Sequence, residues 1–118
     1  MRFSVIQIPY RSFSKSIKNQ SNPVRLAYNS VVPKDGVASD QSPLLIFHGL
    51  FGSKNNWKSI SSQLAQRTKR QIYAFDLRNH GQSPHTSGEE ATLQCMAGDI
   101  EYFMKEKNLQ KASLLGHR

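Results

Sequence analysis

The sequence predicts an α/β fold built on a mostly parallel sheet, and three observations predict it. Three short, unbroken apolar runs, Leu44–Phe47, Ile72–Phe75 and Ala112–Leu115, read as strands buried on both faces. Two longer segments with apolar residues at helical spacing lie between them. Each run leads into a polar or glycine-bearing loop, so strand, helix, strand, helix, strand succeed one another as right-handed parallel crossovers require.

The elements follow in order. Val24, Leu26 and Tyr28 fall near period two within 24–32, and Pro33-Lys34-Asp35-Gly36 supplies turn chemistry, which predicts an early antiparallel strand. A polar linker, 37–42, leads to Leu44–Phe47 and then to the turn His48-Gly49-Leu50-Phe51-Gly52-Ser53. Trp57, Ile60 and Leu64 recur at helical spacing to about Arg67, with Ser53 or Asn55 as N-cap. Ile72–Phe75 ends in Asp76 and a polar loop, 77–88. Leu93, Met96, Ile100, Phe103 and Met104 mark one face of a second helix, and Lys105 and Lys107 complement the dipole at its end. Ala112–Leu115 then runs into Gly116-His117-Arg118.

Composition narrows the classes. The 118 residues allow one domain or part of one, and no stretch approaches the roughly 18 consecutive apolar residues of a membrane-spanning helix. A single cysteine, Cys95, excludes an internal disulfide scaffold, and no Cys/His pairs recur at zinc-site spacing. The formal charge of +8 is unevenly placed. Residues 1–34 carry Arg2, Arg11, Lys15, Lys18, Arg25 and Lys34 and no acid, which leaves ten bases against eight acids in the rest. That small remainder, without aromatic residues interleaved in a basic stripe, argues against a nucleic-acid binder.

The amino-terminal excess reads as an address. A helix beginning near Pro9 places Ile6, Tyr10, Phe13 and Ile17 on one stripe, with Arg11, Lys15 and Lys18 opposite. An amphipathic, Arg-containing, Ser-rich, acid-free leader has the marks of a mitochondrial transit peptide, assigned to residues 1–23, with residues 24–118 as the folded part and the matrix as destination.

In parallel α/β sheets, functional groups collect in loops beyond the carboxyl ends of the strands. The first such loop, 48–53, lacks the spacing of a nucleotide-binding glycine loop but suits an oxyanion hole, in which a backbone N–H is aimed at a developing negative oxygen. Leu50 is the first candidate donor and Phe51 the second. The second loop reads as structural, with Asp76 and Arg78 pairing, Gly81 supplying a positive-φ turn and Ser83-Pro84 ending it, while His80 and His85 read as loop histidines. The third, Gly-His-X after a buried strand, is the approach to a nucleophile elbow, where G-x-S-x-G places a serine on a sharp strand-to-helix turn.

Together Pro43-Leu-Leu-Ile-Phe-His-Gly-Leu-Phe-Gly-Ser53, Asp76-Leu-Arg-Asn-His-Gly-Gln-Ser-Pro-His85 and Leu114-Leu-Gly-His-Arg118 resemble the amino-terminal half of an α/β-hydrolase, in the branch of the mitochondrial abhydrolase domain-containing protein eleven and bacterial esterases. The resemblance implies an incomplete α/β-hydrolase fold, its mostly parallel sheet truncated at the nucleophile elbow. It implies a serine esterase or lipase family acting on ester or lipid substrates without metal or cofactor. Residue by residue, it gives Leu50 and Phe51 a place in the oxyanion hole. His48, Gly49 and Gly52 shape that turn, and Asp76, Arg78 and Gly81 hold the neighbouring loop. Arg118 stands where the family has its serine, so the nucleophile is absent, together with the downstream acid, base and lid, and this chain is expected to be inactive. The strand containing Leu114 is expected to keep an unpaired edge, a route to aggregation or to a protein partner, and the core is expected to be marginal. The alternative reading is a non-catalytic mitochondrial interaction module.

Overall fold

A computed structural model describes residues 3–9 and 22–117. Strand β1 spans Phe3–Pro9, β2 Tyr28–Val31, β3 Leu44–Phe47, β4 Ile72–Phe75 and β5 Lys111–His117. Helix α1 spans Lys58–Thr68 after a 3₁₀ turn at Lys54–Trp57, and α2 spans Leu93–Glu106 after a second such turn at Gly88–Glu90. The strands form one sheet in the order β1-β5-β3-β4-β2. The inner three are parallel, and β1 and β2 flank them antiparallel.

Alternation along the inner strands builds two cores. Leu45, Phe47, Tyr73 and Phe75 pack with Phe103 and Met104 of α2. Leu44, Ile46, Ile72 and Ala74 pack with Trp57 and with Ala65 of α1. Every residue of β3 and β4 is buried, which is why these two strands read as continuous apolar runs and begin and end where the sequence predicts. Tyr28 closes the outer side of the α2 core, its ring 5.5 Å from that of Tyr73 and 5.3 Å from that of Phe103.

The topology selects the site. From β3 the chain crosses by α1 to β4 on one side, then by α2 back past β3 to β5 on the other. A ligand crevice opens beyond the strand ends where such a sheet reverses direction. The register aligns Phe47 with Phe75 and with Gly116, so His48, Asp76 and His117 follow at one end of the sheet.

Several expectations are corrected. The outer edge of β5 is filled rather than unpaired: β1 runs antiparallel along it, from Phe3 opposite His117 to Pro9 opposite Lys111. Ile6, expected on the stripe of a leader helix, lies instead in this strand, where the edge of β5 gives every second backbone group a partner. Tyr10, Phe13 and Ile17 lie outside the described residues, as does Arg118. Both helices turn most of the predicted residues inward, with Trp57, Phe103 and Met104 buried and Leu64 and Ile100 packed against the cores, but not all of them. Ser61 and Ala65 are the buried residues of α1, while Ile60 is exposed. In α2, Cys95, Asp99, Phe103 and Met104 are buried and Leu93 lies at the surface.

Candidate functional site

His48 follows β3 directly, with both ring nitrogens engaged. Nδ1 lies 2.8 Å from the carbonyl oxygen of Gly49, and the Leu77 amide donates to Nε2 at 3.0 Å. Only the neutral Nδ1–H tautomer satisfies both contacts, because a carbonyl must accept and an amide must donate. Burial pushes the imidazole below its ordinary value, and His80, its ring 4.8 Å away, adds to the effect, while the Gly49 hydrogen bond and Asp76 oppose it. His48 is thus a fixed strut between the first and second loops.

Beyond it the backbone makes a tight turn. Gly52 N–H donates to Gly49 C=O at 3.0 Å, and Phe51 sits at φ 60°, the positive value that a type II turn requires at its third residue. Such a turn leaves both central N–H groups unbonded, and those of Leu50 and Phe51 have no partner among the described residues. Their side chains stand out from the fold, 81% and 90% exposed. Gly49 is glycine because it passes against β5: a Cβ there would lie 2.8 Å from Nδ1 of His117. At Gly52 a Cβ would meet the Cβ of His48 at the same distance.

The turn walls a cleft of about 280 Å³ lined by His48, Gly49, Leu50, Phe51, Gly52, Asn56, Trp57, Ile60 and His117. It lies at the direction reversal between β3 and β5. Its described lining offers two imidazoles, one amide and apolar surface, with no hydroxyl, thiol or carboxylate side chain.

Behind the cleft, the second loop locks the first in place. Asp76 Oδ1 accepts the Lys54 amide at 2.7 Å, and Oδ2 accepts the Lys54 ammonium at 3.1 Å and the Gln82 amide at 2.9 Å. Burial by itself raises a carboxyl group, yet these donors together hold Asp76 below its usual range. Gly81 sits at φ 50°, where a side chain would collide with the Asp76 carboxylate. Ser83 Oγ donates to Asp76 C=O at 2.6 Å and accepts the Ala27 amide at 2.8 Å, tying the loop to the strand before it.

Asp76 and Arg78 do not pair with each other. Asp76 takes Lys54, at the entrance to α1, whereas Arg78 makes a two-pronged contact with Asp99 of α2, both bonds 2.7 Å, and also donates to Glu90 C=O. The two helices lie on opposite faces of the sheet, so the loop reaches one ion-pair partner on each. Asp99 raises the guanidinium further above its ordinary value and also accepts the Val24 amide at 2.8 Å. Lys54 and Asp99 were therefore missed as site-supporting residues. The signal for Asp99 is a lone acid in an apolar helix face, and for Lys54 a cation just where a helix dipole disfavours one. His80 bonds the Arg78 carbonyl at 3.0 Å and His85 is exposed, both as loop histidines.

The profile of the alpha/beta hydrolase fold matches residues 42–117, from the residue before Pro43 through β5. The chain belongs to the α/β-hydrolase family. Within this family it is 39% identical over 107 residues to an sn-1-specific diacylglycerol lipase of Danio rerio, covering 91% of this chain and 32% of the lipase. It is 32% identical over 116 residues to a probable alcohol acetyltransferase of Saccharomyces cerevisiae, covering 92% of this chain and 33% of that protein. Among solved structures it superposes on a marine microorganism esterase with a TM-score of 0.58 at 36% identity, over 73% of this chain and 29% of the esterase. This α/β-hydrolase chain thus spans about a third of the length of these curated relatives.

Proposed function

We propose that these residues form the oxyanion side of a serine-type carboxylic ester hydrolase, acting on ester or lipid substrates, and that the 118 residues alone do not turn esters over. The observation that carries this reading is the turn at Gly49–Gly52. It holds two amides, of Leu50 and Phe51, that have no partner among the described residues, beside an apolar cleft where the sheet reverses direction. Acyl transfer passes through a tetrahedral oxyanion, and amides fixed before the reaction stabilise it without reorganising. The nucleophile would belong on the turn after Gly116-His117, where this sequence has Arg118. An acyl-enzyme route needs a nucleophile beside a base, and the cleft's described lining supplies no hydroxyl, thiol or carboxylate to attack. His48 cannot serve as the base, since its Nε2 lone pair is occupied by the Leu77 amide.

The relatives support an ester-type substrate: one is named a diacylglycerol lipase, one a probable alcohol acetyltransferase, and one solved neighbour an esterase. Mitochondrial delivery through residues 1–23 is part of the same proposal and rests on their acid-free, basic composition.

The test is an assay of two proteins against short acyl esters. The 118-residue chain is expected to give none above background. Residues 1–117 continued by a serine and the remaining carboxyl-terminal part of such a relative are expected to hydrolyse them. A silent chimera that is nonetheless folded would overturn the assignment, as would turnover by the short chain that vanishes on mutating one of its own residues.

A further inference from the structure

A second hollow lies between β2 and the start of α1, at the edge of the sheet away from β5, and shares no lining residue with the cleft at the strand ends. It measures about 440 Å³, and its walls include Asn29 and Val31 of β2, Lys54, and Lys58, Ser61 and Ser62 of α1. The sequence brings these together. Tyr28 packs on the α2 core, so alternation along β2 turns Asn29 and Val31 to the α1 face. Lys58, Ser61 and Ser62 stand three and four residues apart, on one face of the first turns of α1.

The lining carries donors that the fold does not use. Ser61 is 3% exposed, yet its Oγ has no hydrogen-bond partner among the described residues. Helical hydroxyls commonly rest on the carbonyl four residues back, as Thr68 does on Leu64 at 2.6 Å in this same helix, and leaving one unbonded in the interior costs stability. The buried Lys54 ammonium donates to Asp76 Oδ2 at 3.1 Å and to Gln82 Oε1 at 2.8 Å, and an ammonium has a third proton to give. Lys58 is exposed and makes no ion pair among the described residues. No carboxylate belongs to the described lining. The first turn of α1 has neither an acid nor a side-chain cap, so the positive end of the helix dipole is unmatched there as well.

We propose that this hollow is a phosphate-binding site, in which the Lys58 and Lys54 ammoniums and the Ser61 and Ser62 hydroxyls donate to the oxygens of a phosphomonoester. A phosphoryl group presents three strong acceptor oxygens and about two negative charges at neutral pH, which suits several donors around one cavity better than a planar carboxylate does. The hollow is wider than one phosphoryl group and leaves room for the organic part of the ester. Binding here requires neither a nucleophile nor the turn at Gly49–Gly52, so it stands or falls apart from the ester-hydrolase reading.

The test titrates the 118-residue chain with inorganic phosphate at constant ionic strength, so that screening does not change. Amide NMR shifts are expected to move and saturate at Lys58, Ser61 and Ser62. Lys58→Gln, at an exposed position, is expected to weaken binding about tenfold, the loss of one charge-assisted bond. Ser61→Ala is expected to weaken it several-fold while remaining at least as stable as the parent in phosphate-free buffer, because it removes an unbonded hydroxyl and alanine favours the helix. Acetate at the same concentration is expected to leave the three shifts where they were. Glycerol phosphate and vesicles of phosphatidylcholine containing phosphatidic acid then distinguish a soluble ester from a lipid headgroup, and one of the two is expected to displace inorganic phosphate. No saturable shift at these residues, phosphate binding unaltered by both substitutions, or equal binding of acetate overturns the proposal. So does a Ser61→Ala chain that is less stable than the parent without phosphate, since Ser61 would then be bonded within the fold.

Discussion

The carboxylate of Asp76 receives both the amide and the ammonium of Lys54, so the residue that follows β4 holds the far end of the turn that follows β3. Its neighbour completes the clamp: the Leu77 amide donates to His48, at the near end of the same turn. The segment 48–54 is thus pinned at both ends by two consecutive residues of one loop, and the Leu50 and Phe51 amides lie between the pins. The buried ion pair and the imidazole strut position a backbone and leave chemistry to other groups.

Replacing Asp76 by asparagine should leave the Lys54 ammonium buried and uncompensated, its side chain being only 8% exposed. Breaking a buried pair from one side typically costs about 3–5 kcal/mol. The expected outcome is collapse of amide protection at Lys54 and Gln82 in hydrogen exchange. Adding Lys54→Met should recover part of the loss, since the stranded charge goes with it. A D76N chain within about 1 kcal/mol of the original would show that the pair is not what holds the turn.

His48 makes a prediction about pH. Its folded-state value lies below the ordinary 6.5, so as pH falls the unfolded chain takes up the proton first. The stability that depends on the neutral imidazole is complete above 6.5 and is lost as pH falls through the folded-state value. Asp76, also depressed, adds a second loss beginning below its ordinary 3.8. Imidazole titration by NMR should give His48 a value below 6.5 and a proton on Nδ1. A value at or above 6.5, or a proton on Nε2, would remove the strut from the account.

The inner strands were legible because burial on both faces leaves no polar residue to interrupt them, so Leu44–Phe47 and Ile72–Phe75 announce themselves. The glycine turns were legible for a similar reason, since Gly49 and Gly81 sit where a Cβ would strike His117 or Asp76. Partners distant in sequence were not. Asp76 and Arg78 look like a local pair until the fold brings Lys54 and Asp99 to them. On α2, Cys95 and Asp99 are buried beside the expected Phe103 and Met104, spaced by four along one line, while Leu93 is turned out. The strand at Phe3–Pro9 was hidden because its partner among the described residues, β5, lies at the opposite end of the sequence.

Two glycines with positive φ separate strain from collision. Gly36, at φ 85°, has nothing within 4 Å of a Cβ, so Gly36→Ala should cost only the left-handed conformation, about 1–2 kcal/mol. Gly81, at φ 50°, would in addition drive a methyl group into the Asp76 carboxylate. G81A should therefore lose clearly more stability than G36A and should disturb the Lys54 amide as well. Equal effects of the two would mean that the Asp76 loop accommodates the methyl group without moving.

Targeting can be tested apart from the fold. Residues 1–23 fused to a fluorescent reporter are expected to enter mitochondria, and Arg11→Glu with Lys15→Glu and Lys18→Glu should abolish entry by reversing the charge on which import depends. Diffuse cytosolic fluorescence from the unaltered leader would count against the assignment. Because β1 belongs to the same segment, a leader function would place import and the sheet in competition for residues 3–9.

The oxyanion assignment can be tested at a single atom, because Leu50 occupies the one position of its turn where proline fits. A type II turn accepts proline as its second residue, so Leu50→Pro keeps the Gly49–Gly52 bond while deleting the Leu50 N–H. The side chain itself is 81% exposed, so Leu50→Ala serves as a control that shortens it and leaves the amide in place. In the serine-bearing chimera, L50P should lower kcat by about 10²–10³-fold, the loss typical of removing one oxyanion donor, with KM little changed because the interaction is made in the transition state. L50A should stay within a few-fold of the parent. If L50P keeps full kcat while its fold is intact, the donor is another amide and Phe51 becomes the first to examine. If L50A loses as much as L50P, the side chain rather than the backbone is what the reaction requires.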